Sequence, residues 1–429
     1  MKRMTLLLLG AGLLGGTASL AEAQEHAHHS ATMDQSVDSG WRLALMGQVF
    51  PIVTLAEPFD PDAWLHDREV YLTQPAVMFD LASPGRRFSL RTTLDLEQAT
   101  QPDGEITLGG WGEGFIDRRH PHTVLHELMA SWNVSARGGT LLSLSAGKGF
   151  APYGTEDPMG RPVVKYPTNH HLSQILERWT VNGVVSHPTG WSLELGIFGG
   201  EEPHDAYDLG NIESFGDSWS ARIIHRPGEG MERPWEVSAS FASVAEAHGD
   251  KRETTHLANG YLRYQRSGVY GLVEASRSWT EEGPGYWSVL AEAKTIAGIH
   301  EPYARVELAT RPEMHRLGTP ETPEYYRYEP GAHADGATRW FIAALGYGMT
   351  PQTSGFLSTR PFVEVQYHRL ASEGAGVDPM TLFGRRGLWA VSAGFRIYLG
   401  GGAMRMGSYG ALDPTGTSVA HGSSSSHSH

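Results

Sequence analysis

Cysteine is absent from the 429 residues of this chain, and several other features that mark common protein classes are scarce. Without thiols, neither a disulfide framework nor a thiolate metal site can form. Lys and Arg number 34 against 48 Asp and Glu, and the formal charge of −14 argues against a nucleic-acid partner, which needs a basic face. Beyond residue 23 no apolar run approaches the roughly 20 residues that a membrane-spanning helix needs. The sequence therefore excludes a helical membrane protein.

The first 23 residues have the pattern of a secretory signal peptide. Two basic residues precede an apolar stretch from Leu6 to Leu14, and small residues lead to an A-x-A cleavage pattern that ends at Ala23. We expect export with cleavage after Ala23. The next residues, 24–39, are expected to form a disordered, His-containing periplasmic segment.

Apolar and polar residues alternate with a period of two in segment after segment, which is typical of β-strands. In 87–97, for example, Phe88, Leu90 and Leu94 share one face while Arg91 and Asp95 share the other. The segments that begin at Trp191, Trp219 and Trp287 sort in the same way. Their length, about 9 to 13 residues, is what a tilted strand needs to cross an outer membrane.

The pattern predicts about sixteen strands, with fourteen or eighteen as alternatives. They are 41–53, 67–79, 87–97, 123–136, 140–148, 174–186, 190–199, 217–226, 234–243, 255–266, 268–278, 286–295, 300–311, 338–349, 358–370 and 387–399. Short gaps and long polar gaps alternate strictly, with 244–254 among the long ones. This alternation predicts an all-β fold over 40–399, a transmembrane up-and-down antiparallel barrel. The alternative is a soluble sandwich or propeller, whose outer face should be polar rather than rich in Trp, Leu and Val.

The last strand resembles the C-terminal signal by which outer-membrane barrels are recognised for insertion. Gly394 is followed by Phe395, Ile397 and Leu399, which alternate as lipid-facing residues. This motif implies the barrel assembly machinery and outer-membrane lipid as partners. The thirty residues after Leu399, 400–429, are expected to be a low-complexity, His-containing tail. An even number of strands places both termini in the periplasm.

The polar faces of the predicted strands carry charges of both signs, which we expect to line the lumen. They are Arg42, Arg91, Asp95, Glu127, Arg178, Glu194, Arg222, Glu236, Arg263, Glu274, Glu292, Arg305 and Glu364. Rings of charged side chains tune which ions and solutes a pore admits. The mixture of signs leaves the charge selectivity undecided.

Histidines cluster beside carboxylates in the long loops. The candidates for a divalent metal such as copper or zinc are His120, His122, His170, His171, His204 and Asp205, with Glu201 and Glu202 able to complete the shell. We expect the five histidines to gather at one side of the extracellular mouth, because the loops after strands 3, 5 and 7 are neighbours; a solvated polar rim is the alternative. A helix starting at Pro121 would place His122 and His126 four apart, at chelating distance, but the alternation favours a strand there.

The run Asp117-Arg118-Arg119-His120-Pro121-His122, the pair His170-His171 and the stretch Gly200-Glu201-Glu202-Pro203 carry a resemblance. The chain resembles a family of largely uncharacterised outer-membrane barrels in which a D-R-x-H-P-H-D run and a paired histidine recur. The resemblance implies a porin-like fold and supplies no substrate. Thr123 stands where the family has Asp.

Three functions are compatible with these patterns. The first is a passive or weakly selective channel for small solutes or ions, in which an oligomer is possible. The second is copper or zinc handling, with His and Met tracts near both ends of the chain as collectors. The third is an embedded hydrolase that uses His126 with Ser131, or His204 with Asp205; since no nucleophile is evident beside a base, the sequence favours a protein that is not an enzyme.

Overall fold

The computed structural model describes most of the chain. The described residues are 40–57, 67–100, 122–155, 161–164, 170–203, 206–210, 212–228, 233–248, 251–266, 268–281, 285–312, 337–350, 352–354, 356–373, 378–380, 384–400, 406–407 and 409–410. The expected signal peptide, the segment 24–39 and most of the tail 400–429 lie outside these residues.

Antiparallel strands account for nearly all of the regular structure. They are β1 (Arg42–Ala56), β2 (Arg68–Ala82), β3 (Phe88–Asp95), β4 (Leu125–Ser135), β5 (Leu141–Gly149), β6 (Arg178–Ser186), β7 (Trp191–Phe198), β8 (Ser218–His225), β9 (Trp235–His248), β10 (Lys251–Arg266), β11 (Val269–Trp279), β12 (Tyr286–Thr295), β13 (His300–Pro312), β14 (Ala337–Met349), β15 (Gln352–Ser354), β16 (Leu357–Ser372) and β17 (Gly387–Leu399). Among the described residues, the short α-helices α1 (Glu97–Thr100) and α2 (His170–Ser173) lie between strands, and single turns of 3₁₀-helix occur at Pro84–Arg86 and Arg137–Gly139.

The strands form one closed barrel. Each pairs with the strands next to it in sequence, and β17 pairs with β1, for example through Val53 and Ala393. The three-residue β15 pairs with β16 on the same side as β14, so β14 and β15 together occupy one position. The barrel therefore has sixteen strand positions, and the predicted up-and-down antiparallel barrel is confirmed.

The predicted long loop over 244–254 is wrong. β9 continues to His248 and β10 begins at Lys251, so the two strands pair almost to their tips, with Ala247 opposite Arg252. Polar residues made this segment look like a loop. A strand that projects beyond an apolar band keeps its backbone ladder while its side chains become polar, so composition misplaces the strand end. The strict alternation of short and long connections fails at this point.

The outer surface of the barrel is apolar. Along β7, Trp191, Leu193 and Leu195 are about half exposed and alternate with the buried Ser192 and Glu194. An aliphatic or aromatic side chain left in water forgoes about 1.5–3 kcal/mol of burial energy. A whole surface of such residues requires apolar surroundings. Within the described part of the chain, no helix is long and apolar enough to cross a membrane.

The final strand closes the barrel against β1. Phe395 and Leu399 lie on the exposed outer face, and Ile397 is partly exposed there. Gly394 faces Ile52 of β1, and a Cβ at this position would lie 2.2 Å from the carbonyl oxygen of Pro51. Only glycine permits so close an approach of the two backbones. Gly394 of the predicted assembly motif is thus also required for the close packing of β17 against β1.

Candidate functional site: a filled interior with a buried histidine–glutamate cluster

The predicted lumen-lining residues lie mainly in the barrel interior, the space enclosed by the strands. Those buried are Asp95, Glu127, Arg178, Glu194, Arg222, Glu236, Arg263, Glu274, Glu292, Arg305 and Glu364. Arg91 is partly buried and pairs with Asp80. Arg42, the first residue of β1, is exposed and does not line the filled interior, because it stands at the end of its strand.

Opposite charges face each other across neighbouring strands. The register sets Arg222 of β8 directly opposite Glu194 of β7, and their side chains bond at 2.8 Å. Arg263 and Glu236 are likewise opposite, at 2.6 Å. Arg305 and Glu292 follow the same rule, at 2.9 Å. These three cross-strand pairs neutralise six of the charged side chains whose mixed signs left the charge selectivity undecided from the sequence.

One long connection folds into the interior rather than outward. The described residues of this connection between β5 and β6, which are 150–155, 161–164 and 170–177, are here called the inward loop. The Arg161 guanidinium bonds Glu274 of β11 at 3.0 Å, and the backbone N–H of Val164 donates to Glu364 of β16 at 2.6 Å. Arg396 of β17 donates to the carbonyl oxygens of Arg161 and Pro162. The inward loop thus crosses the interior and binds strands on its far side.

A segment beyond the last strand also enters the interior. Its described residues, Met406, Gly407, Tyr409 and Gly410, are here called the C-terminal plug. The backbone N–H of Gly407 donates to Glu127 at 2.7 Å, and the Tyr409 hydroxyl donates to Glu194 at 2.7 Å. Gly407 has φ +80°, in the left-handed region, and a Cβ there would crowd the Phe150 ring. The sequence left open whether the lumen is open or plugged, and these two segments fill part of it.

Met406 belongs to the C-terminal His- and Met-containing tract that was expected to bind copper or zinc. In the structure its side chain packs with Met46, Met78, Phe150 and Leu176 in a buried apolar cluster. The thioether is therefore enclosed by apolar neighbours rather than presented to solvent.

His122, His126 and Glu177 form a compact buried cluster, and a β-bulge places one of its members. Glu127 of β4 pairs with Thr93 of β3 while Leu125 pairs with Leu94, so His126 is the extra residue. Regular alternation would turn His126 outward, because Glu127 faces inward. The bulge lets both neighbours be buried, each about 1% exposed.

Glu177, the residue immediately before β6, brings its carboxylate to the same point. It has φ +59°, a left-handed conformation that costs a non-glycine residue about 1–3 kcal/mol. Its carboxylate accepts hydrogen bonds from the backbone N–H of Thr123 through both oxygens, at 3.0 and 3.2 Å. The Thr123 hydroxyl in turn accepts from the buried Lys148 ammonium at 2.7 Å. Glu177 is therefore oriented by Thr123, which Lys148 of β5 holds in turn.

The two imidazoles converge on one carboxylate oxygen. The Nδ1 atoms of His122 and His126 lie 3.1 and 2.5 Å from Glu177 Oε1, and their ring centres are 4.9 Å apart. Nε2 of His122 lies 4.0 Å from a carboxylate oxygen of Glu97, which Thr73 holds by a hydrogen bond. Two imidazole nitrogens and one carboxylate thus meet here. The helical alternative for this stretch is not what brings them together, because residues 122–124 are not helical and His126 already belongs to β4.

The cluster perturbs the acid–base behaviour of its members. Burial alone would lower the pKa of His122, but the hydrogen bond and charge of Glu177, with Glu97 and Asp95 nearby, hold it well above its usual value. Burial alone would raise the pKa of Glu177, but His126 and His122 hold it well below its usual value. These shifts favour the charged forms of both His122 and Glu177.

The predicted metal ligands are only partly placed. His122 is in the cluster, while His120, His204 and Asp205 lie outside the described residues. His170 and His171 begin α2, but their side chains lie outside what the structure describes. Glu202 bonds Arg178 at 2.7 Å. Of the residues considered for a hydrolase, His126 bonds Glu177, while Ser131 bonds Ser145.

No family model matches the sequence, and no curated protein matches it. Several solved structures are similar in shape. OmpT of Vibrio cholerae has a TM-score of 0.48 at 10% identity, over 83% of this chain and 98% of that one. An anion-selective porin from Comamonas acidovorans has a TM-score of 0.46 at 12% identity, over 84% and 100% of the two chains. OprB of Pseudomonas putida has a TM-score of 0.47 at 11% identity, over 84% and 94%.

Proposed function

We propose that this protein is an outer-membrane channel of porin type that admits only small ions or solutes, because two segments narrow its interior. The observation that carries the proposal is the combination of an apolar outer face with a polar, charged interior in one closed barrel. The proposal implies lipid and the barrel assembly machinery as partners, and it places both chain ends in the periplasm because the number of strand positions is even.

The outer face supports the membrane location. In hydrocarbon, unpaired backbone groups are costly, so a sheet can cross only when every strand is paired on both sides. The pairing of β17 with β1 meets this requirement. The alternation of exposed apolar and buried polar residues along β7 is the pattern of strands with lipid on one side and a polar interior on the other.

The interior supports a channel rather than a solid anchor. Small hydroxyl side chains lie on the buried wall beside the C-terminal plug: the Gly410 N–H donates to Ser131, Ser131 bonds Ser145, and Ser143 lies close to Gly410. A barrel that served only as an anchor would be filled more stably by apolar side chains, since burying ion pairs costs desolvation energy. If the plug withdraws, this wall becomes a polar path beside the inward loop.

The test removes the plug and measures conductance. A chain that ends at Gly400 lacks the plug but keeps the whole of β17, so its assembly motif becomes C-terminal. In planar bilayers we expect this chain to conduct several-fold more per insertion than the full-length protein, because the space beside Glu194 and Arg222 is vacated.

The matched control is a chain that ends at Gly410, which keeps the plug and should conduct like the full-length protein. The proposal is wrong if the shorter chain inserts into the bilayer and still conducts no more than the full-length protein.

A further inference from the structure

We propose that His122, His126 and Glu177 are a binding site for one divalent transition metal of the zinc and copper class. The site is separate from the channel: metal could bind whether or not solutes cross the barrel. It also differs from the mouth site expected from the sequence, since Glu177 was not among the expected metal ligands and His126 was considered only in the helical alternative.

The donor atoms are already close to metal-binding distances. The ligand atoms of the three residues lie within 4.8 Å of one another. Zinc bonds imidazole nitrogen and carboxylate oxygen at about 2.0–2.2 Å, so tetrahedral ligand atoms stand roughly 3.3 Å apart. The contact of His122 with Glu177, at 3.1 Å, nearly meets this spacing, and that of His126, at 2.5 Å, must open by less than an ångström. Two histidines and one glutamate leave a fourth position for water, as in many zinc sites.

Two independent backbone irregularities aim side chains at this point. The β-bulge turns His126 inward, and the left-handed conformation of Glu177 brings its carboxylate to meet it. Either irregularity alone would be tolerated in a loop or strand. Bulges and strained residues are enriched where a side chain must be directed to a site, and here two converge on one oxygen atom.

The surroundings supply what metal ligands need beyond the first contacts. Nε2 of His122 lies 4.0 Å from Glu97. The Thr123 N–H donates to the Glu177 carboxylate, and Lys148 donates to the Thr123 hydroxyl. Carboxylates behind a ligating histidine orient the ring and strengthen its basicity.

The local charge favours a cation. Four buried or partly buried carboxylates, Asp95, Glu97, Glu127 and Glu177, lie around the site with the Lys148 ammonium. Among the described residues, Asp95 Oδ2 is buried and has no hydrogen-bond partner. Uncompensated buried charge is costly, and a divalent ion would offset it.

The donor set selects the class of ion. Imidazole nitrogen suits zinc, copper, nickel and cobalt, whereas calcium and magnesium prefer oxygen ligands throughout. The chain has no thiolate to favour Cu(I) or an iron–sulfur cluster. Cobalt(II) is therefore a suitable probe, because it takes zinc sites and its visible absorption reports the ligand geometry.

The experiment titrates the full-length, chelator-stripped protein in detergent with cobalt(II), followed by zinc competition. The expected result is one tight equivalent with tetrahedral absorption bands, which zinc displaces, above weaker binding by the terminal histidines. The variants His122→Gln and Glu177→Gln should each weaken the tight site by about 100-fold or more, since even changes behind the ligands cost up to about that much.

His225→Gln is the matched control. His225 lies at the end of β8 and stacks on Trp191, away from the cluster, so its loss should leave the tight site intact. Heat-modifiable migration in gels shows which variants are folded. If either ligand variant misfolds, X-ray absorption of the zinc-loaded wild-type protein decides, with two imidazole ligands expected.

The inference is overturned if wild-type protein shows no tetrahedral cobalt bands, or if folded ligand variants keep the tight equivalent. The two tests are independent, because the conductance test removes the C-terminal plug whereas the metal test changes only His122 or Glu177. Failure of one proposal therefore leaves the other unaffected.

Discussion

His126 owes its position to one extra residue in a strand. Without the bulge opposite Thr93 and Leu94, the alternation of β4 would direct His126 to the outer surface, beside residues such as Leu128. The insertion buries the imidazole against Glu177 and the Phe150 ring. A single local irregularity therefore decides whether this histidine contacts lipid or takes part in the interior cluster.

Glu177→Gln should lower the pKa of His122 in the metal-free protein. The carboxylate is the main source of the raised pKa of that imidazole, and the amide keeps the shape without the charge. NMR titration of the histidine ring resonances measures it: we expect the wild-type midpoint above about 6.5, the ordinary value, and a lower midpoint in the variant.

The sign for stability follows from the same shift. Because the folded pKa of His122 exceeds its unfolded value, its stabilising contribution is complete below the unfolded pKa and is lost as the pH rises through the folded pKa. For the NMR titration, an unchanged His122 midpoint in Glu177→Gln would contradict the assignment of Glu177 as the partner of His122.

The closing strand, β17, completes the barrel. β17 has β16 on one side and β1 on the other, so it joins the two ends of the strand order. Its inward residues, such as Arg396, bind the inward loop, while Phe395 is half exposed on the outside. One strand thus holds together the seam, the interior filling and the apolar surface.

Phe395→Arg should destabilise the assembled barrel. A charge facing hydrocarbon at mid-depth costs about 2–4 kcal/mol, and less near the interface. The free energy of unfolding in lipid, measured by denaturant titration, gives the cost. Phe356→Arg is the control, because that phenylalanine lies in the connection between β15 and β16 and is largely exposed. Equal stability of the Phe395 variant and the control would mean that the outer face of β17 does not meet lipid.

At the scale of the whole molecule, the barrel wall and its filling are held by different interactions. The wall is a continuous ladder of backbone hydrogen bonds between neighbouring strands. The C-terminal plug is joined to the wall mainly through side chains, among them Glu127, Glu194 and Arg222. Removing the plug should therefore empty part of the interior without opening the wall.

A chain that ends at Gly400 should accordingly remain folded. We expect it to resist SDS before heating, as the full-length protein should. Loss of the hydrogen bond from Gly407 to Glu127 and of the apolar contacts of Met406 should lower the thermal stability modestly. Circular dichroism melting in detergent measures the change. Loss of the heat-modifiable form would show that the plug is part of the barrel fold rather than a separable filling.

Much of the architecture follows from the order of residues alone. Alternation of apolar and polar side chains is a local property with a period of two, so it predicts the sixteen strand positions, the parity of residues such as Glu194 and Phe395, and the closed barrel. The end of β9 was misplaced because polarity changes at the edge of the apolar band, while backbone pairing continues beyond it.

The contents of the interior depend on contacts between residues far apart in the chain. No local pattern announces that Gly407 meets Glu127, that Val164 meets Glu364, or that the inward loop crosses the barrel. The cluster of His122, His126 and Glu177 illustrates the same limit. His122 is recognisable as a candidate from its neighbours, but His126 required a bulge and Glu177 a left-handed turn, 55 residues away from His122. Side-chain alternation along a strand is set by its own residues, whereas which side chains meet across the interior is set by strand register, bulges and the folding of loops, which only the assembled barrel determines.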